Sequence, residues 1–112
     1  QFIDAYLSPA HRDNAARGCP IPAFMSEAGR WPRSARKSFD DGVARLAAKL
    51  AALMPPHVES PEAAAMSLIA EMAGAVALSR SISDIALSDA LLDASRAALK
   101  QRFSFSPGPT SP

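Results

Sequence analysis

From Ala63 to Ser79 the chain carries a single charged side chain, Glu71, in a stretch otherwise built of Ala, Met, Leu, Ile, Val, Gly and Ser. A surface helix in a small protein keeps one polar face in water, and this segment offers almost none. Glu71 at its centre, and the want of about 20 clean apolar residues, argue against a membrane span. What remains is a helix covered on nearly every side. A chain of 112 residues has few other elements to cover it with, so the segment predicts a helix shared between two copies.

The length suits one domain with a real core. Abundant Ala and Leu, with few aromatic and β-branched residues, predict an all-α fold. A net charge of +1 exerts no whole-chain pull toward nucleic acid or an anionic membrane. Arg30, Arg33, Arg36 and Lys37 form the one basic concentration, read as a solvated helix start. The single cysteine excludes an internal disulfide and a CxxC pair, which fits a cytoplasmic protein. No signal peptide is visible. The chain opens on Gln1 with Phe2, Ile3, Tyr6 and Leu7 already in helical spacing, the pattern expected of a piece of something longer.

About five helices are expected. The first covers Gln1–Leu7 and closes at Ser8-Pro9, because a residue before proline avoids the helical region. A polar connector, His11–Gly18, leads to a second helix from Pro20 to about Ala28, with Gly29 suited to a left-handed end cap. The third runs from about Pro32 to Pro55-Pro56. Its Phe39, Val43, Leu46, Leu50 and Leu53 form an apolar stripe, and Asp41–Arg45 is spaced for a surface pair. Ser60-Pro61-Glu62 opens the fourth helix, which continues to about Ser81. After a break at Ser83-Asp84 the fifth is capped by Ser88 and runs to Phe103. Residues 104–112, SFSPGPTSP, read as a disordered proline-rich tail after a domain of residues 1–103.

The last two helices should pair antiparallel, and two such pairs about a twofold axis make a four-helix bundle. A monomeric bundle with the fourth helix in its centre is the alternative. On the fourth helix Leu68, Met72, Ala75 and Ser79 form one line and Met66, Ile69, Ala73 and Val76 another. One line should face the interior and the other a partner. Leu68, Met72, Ala75, Val76, Leu91, Ala94 and Ala98 are the dimerisation candidates, the small residues letting a second helix approach.

The segment YLSPAHRDNAARGCPIPAFMSEAGR, Tyr6 to Arg30, resembles the regulatory half of TetR/AcrR-type bacterial transcriptional regulators. The order of motifs continues in Arg36-Lys37-Ser38-Phe39, the long Ala-rich helix and the turn Leu87-Ser88-Asp89, so the resemblance spans roughly residues 1 to 103. It implies a helical effector-binding and dimerisation domain, a homodimer with an unknown small-molecule effector. A helix-turn-helix would normally precede it; none is found in these residues. This piece is therefore expected to bind no operator DNA by itself, the full-length protein doing so through the missing domain.

A pocket is expected among the first four helices. Tyr6, Cys19, Phe24, Trp31, Phe39, Val43, Ile69 and Met72 are the candidate ligand-binding residues, with Met25 and Met66 as further pliable side chains. Cys19 stands at a helix start near Arg12 and Arg17, a setting that favours a reactive thiolate, while the plain reading is a packing cysteine. His11, Asp13 and Cys19 match no metal-ligand spacing, and no nucleophile, base and oxyanion arrangement can be named, so neither a metal, a cofactor nor an enzyme is expected. Glu71 should pair with a base such as Arg80 or Arg96, reach the helix edge, or orient a ligand. A stand-alone helical interaction module without a ligand is the second functional reading.

Overall fold

A computed structural model describes residues 2–103, and among them the fold is all-α with no strand. The elements are α1 (Phe2–Tyr6), α2 (Pro9–Asp13), α3 (Pro20–Phe24), a 3₁₀ turn (Ala28–Arg30), α4 (Arg33–Ala52), α5 (Pro61–Ser81) and α6 (Ile85–Phe103). The five expected segments are all present. The proline-rich tail from Ser104 lies outside the described residues.

The chain does break at Ser8, which is extended at φ −103° and ψ 153°. It then starts again at once as α2, because Pro9 suits a first helical position and the Ser8 hydroxyl accepts from the His11 N–H at 3.1 Å. The first three residues of the expected polar connector, His11 to Asp13, are therefore helical. The second helix ends four residues early, and Gly29 sits inside the 3₁₀ turn rather than at a left-handed cap. Ser60 occupies the N-cap of α5 without a side-chain cap bond; its carbonyl takes the Ala64 N–H at 2.9 Å. On α6 the cap is Asp84, whose Oδ1 accepts from Ala86 N–H at 3.0 Å. Ser88 lies a turn inside, fully buried. Asp41 pairs with Lys37 at 3.5 Å instead of Arg45, a surface pair worth a few tenths of a kcal/mol.

α5 is the hub, packed against α2, α3, α4 and α6, while α1 lies across α6. Eight of its residues are buried: Ala65, Leu68, Ile69, Met72, Ala73, Ala75, Val76 and Ser79. Both lines expected to face different ways thus point largely into the same core, because α4 covers one flank and α6 the other. By length and composition alone α5 would pass for a membrane span. Its packing against four other elements is that of a core helix, and membrane insertion is not indicated. Leu68, Met72, Val76, Leu92 and Leu99 have no exposed surface, each contributing about 1.5–3 kcal/mol by burial.

Polar side chains tie the two ends of the chain together. Arg12, only 6% exposed, donates through Nη1 to Ser88 Oγ at 2.9 Å and to Asp89 Oδ1 at 2.5 Å, and through Nε to Asp13 Oδ1 at 2.9 Å. Its hydrogen bond holds the Asp13 carboxyl below the usual carboxylate range. The Ser88 hydroxyl donates in turn to Ser79 O at 2.7 Å. Arg96 donates to Leu7 O at 2.8 Å and pairs with Asp93, and Lys100 Nζ meets Asp4 Oδ1 at 3.0 Å. These bonds fasten α1 and α2 onto the α5–α6 pair and so build the walls of the site.

Candidate functional site

Of the surface cavities left once the core is packed, two, together with one uncovered helical face, gather the expected residues. The larger cavity, about 650 Å³, is an open trough between α4 and the start of α5. Phe39, Val43, Ala44, Ala47, Ala48 and Met66 form its apolar walls, and Asp40 and Glu62 stand among them. Phe39 belongs to an aromatic row: Trp31 meets it edge-on at 6.4 Å, and Phe24 meets Trp31 at 5.5 Å. Three of the expected pocket aromatics are therefore neighbours, and Val43 joins them.

The smaller cavity, about 340 Å³, lies between α1, the turn before α3, and α4. Phe2, Ala5, Tyr6, His11, Gly18, Cys19 and Leu46 line it. The His11 ring organises this wall. Its Nε2 accepts the Cys19 backbone N–H at 3.0 Å, so the ring proton sits on Nδ1 and is donated to Tyr6 O at 2.7 Å. The ring also packs edge-on against Tyr6 at 4.7 Å. Gly18 is required here, since a Cβ would fall 2.3 Å from His11 Nε2. With both ring nitrogens engaged by the main chain, His11 is not placed to take a proton from the Cys19 thiol.

Tyr6 is 6% exposed, and its hydroxyl makes no hydrogen bond of acceptable geometry. Burial, with a smaller push from the adjacent Cys19 thiol, raises its ionisation well above the ordinary phenol range, while Arg80 pulls the other way. A tyrosine whose folded-state value is raised stabilises the fold fully below its unfolded value of about 10 and loses that contribution as pH rises beyond it. Stability is therefore expected to fall above about pH 10, and Tyr6→Phe to flatten that fall. As the chain has one tyrosine, absorbance at alkaline pH reads the group directly; ionisation at the ordinary phenol value in the folded chain would contradict the burial argument.

The uncovered face runs along α5 and α6. Ala70, Glu71, Gly74, Ala75, Leu78, Leu91, Ala94, Ser95 and Ala98 line a shallow groove of about 410 Å³. Leu78 is 53% exposed, and Glu71 is the sole acid in the groove. It accepts from the Ser95 hydroxyl at 3.2 Å and lies 4.0 Å from Arg102. Arg80 and Arg96, its expected partners, bond elsewhere.

The candidate residues thus separate. Tyr6 and Cys19 share one cavity, while Phe39 and Val43 line the other with Trp31 and Phe24 beside it. Ile69 and Met72 border neither, being packed in the core. Of the dimerisation candidates, Ala75, Leu91, Ala94 and Ala98 border the groove. Leu68, Met72 and Val76 do not: with no exposed surface they are consumed by this chain's own core and leave nothing for a second copy to touch. Sequence reasoning missed Ala70, Gly74 and Leu78, although their spacing of four was a usable signal. It also missed Phe2, Gly18 and Leu46 as lining, and Arg80 as a donor to the carbonyls of His11 and Arg12. Arg12 is committed to acids and to Ser88 rather than to Cys19. Among the described residues no cluster of three or more His, Cys, Asp or Glu could hold a metal ion. Comparison with protein-family models, with curated proteins and with solved structures returned no match for this chain.

Proposed function

We propose that this chain is the ligand-sensing, dimerising domain of a TetR/AcrR-like bacterial transcriptional regulator, acting in the cytoplasm. The uncovered face of α5 and α6 carries the reading. It combines small residues (Ala70, Gly74, Ala94, Ala98) with Leu78 and Leu91, on two paired helices that each bury other residues in the core. A twofold axis through that face makes a four-helix bundle from two identical pairs, and the small side chains let the backbones approach. The order of motifs from Tyr6 to Asp89 supports the same family.

The two cavities share no lining residue with that face, so their walls stay available to a small effector when two copies have joined. An effector that binds one arrangement of α1–α4 better than another shifts their population. In the full-length regulator that shift alters the spacing of two operator-reading helices on a preceding domain, so DNA is contacted there and not by these helices. Sedimentation equilibrium at micromolar concentration tests the basis of the reading. Twice the chain mass is the expected result; a single-chain mass sinks it.

A further inference from the structure

The trough between α4 and the start of α5 carries two acids without a base. Asp40 and Glu62 stand in its otherwise apolar wall, and among the described residues no Lys, Arg or His lines it. On a helix surface, ion pairs form between residues three or four apart. Arg36 and Lys37 lie at those spacings before Asp40, but Arg36 donates to Gly29 O at 2.8 Å and Lys37 pairs with Asp41 at 3.5 Å. The corresponding residues after Asp40 are Val43 and Ala44, and after Glu62 they are Ala65 and Met66. Among the described residues neither carboxylate enters an ion pair or a side-chain hydrogen bond. Glu62 suits the positive end of α5; Asp40, inside α4, has no such reason to be there.

The rest of the wall calls for an apolar body. Met66 is exposed, and Phe39, Val43 and Ala47 are only half-buried. The volume of about 650 Å³ lies in the range of small-molecule pockets. A second copy of the chain is the wrong occupant. About a twofold axis the trough would face itself, and four carboxylates would meet with no base in either wall to answer them. A neutral molecule would take water from two acids and give nothing back. A cation answers both, and the Phe39 ring attracts a positive charge over its face.

We propose that the α4–α5 trough binds a small organic cation, an ammonium or amidinium on an apolar body. The field of Asp40 and Glu62 draws the charge, and Val43, Ala47 and Met66 take the body. The pliable Met66 side chain at the lip adapts the wall to bodies of different outline. This inference rests on the ligand-sensing reading and names the effector class for it.

2-Phenylethylamine, a cation at neutral pH, and 2-phenylethanol, nearly equal in shape but uncharged, form the test, with binding read by calorimetry on the intact chain. The amine is expected to bind about tenfold tighter at low salt, an advantage that shrinks as salt is added. Asp40→Asn and Glu62→Gln should each weaken the amine about twofold to fivefold, and about tenfold together, while leaving 2-phenylethanol unchanged. Both positions are exposed, so the fold tolerates the changes. Asp41→Asn, on the same helix but off the trough, is the control and should change neither affinity. Equal affinity for the two probes, amine binding indifferent to the paired substitution, or an equal loss in Asp41→Asn overturns the proposal. A dimer that prefers 2-phenylethanol, or takes neither probe, loses this inference and keeps the sensing reading. A monomer that takes neither loses both.

Discussion

If the α5–α6 face joins two copies as proposed, Gly74→Arg is expected to part them into single chains with their helices intact. Glycine inside a helix costs about 0.5–1 kcal/mol against alanine, so a mid-helix glycine calls for a reason. Among the described residues none is found, because a Cβ at Gly74 meets nothing of theirs within 4 Å. The position instead lies in the α5–α6 groove between Ala70 and Leu78, with Ala94 and Ala98 across it, which is where a second pair of helices would come closest. An arginine there is a good helix former, so α5 survives the change. In a bundle core the same side chain brings bulk and an unpaired charge, and dissociation should strengthen by about 100-fold or more. Gly42 on α4 is equally open but lies off the groove, so Gly42→Arg is the control and should keep the dimer mass. Sedimentation of the two variants, with far-ultraviolet circular dichroism to follow helicity, decides the matter. If Gly74→Arg leaves the dimer whole, the interface lies on another face.

What could be read from the sequence, and what could not, follows the range of the interactions involved. The helices came from local signals, as with Pro61 at the first turn of α5 and Ser8 extended before Pro9. Errors of boundary arose where several cap residues competed within a turn. Ser88 looks like a cap, but Asp84 reaches the free N–H groups first. This frees the Ser88 hydroxyl for Ser79 O and for Arg12, bonds that join residues 9 and 76 positions apart. No periodicity encodes such pairings. The site behaves alike. Tyr6, Cys19, Phe39 and Val43 were findable as large or reactive side chains near helix ends. Their division between two cavities depends on how α1 and α4 fold back on α5, and Arg80 reaches the carbonyls of His11 and Arg12 only through such docking.

The rotation of α5 was the question the sequence left open, and two methionines on that helix answer it in measurable form. Met72→Ala is expected to destabilise the protein by about 2–5 kcal/mol, and Met66→Ala by less than about 0.5 kcal/mol. Composition makes no distinction between them; position does. Met72 has no exposed surface and sits in the core with Leu68, Val76, Leu92 and Leu99, so truncation opens a void that rigid helices close only in part. Met66 is 54% exposed on the lip of the α4–α5 trough, where water replaces what alanine removes. Domains of this size are stable by about 5–15 kcal/mol, so the first change consumes a large share and the second almost none. Urea midpoints compared at one fixed protein concentration provide the measurement, because a dimer couples stability to concentration. Equal losses, or a larger loss at Met66, would mean that α5 is turned by about a third of its circumference. Leu68, Met72 and Val76 would then return to the partner-facing side, and the groove built on Gly74 would close.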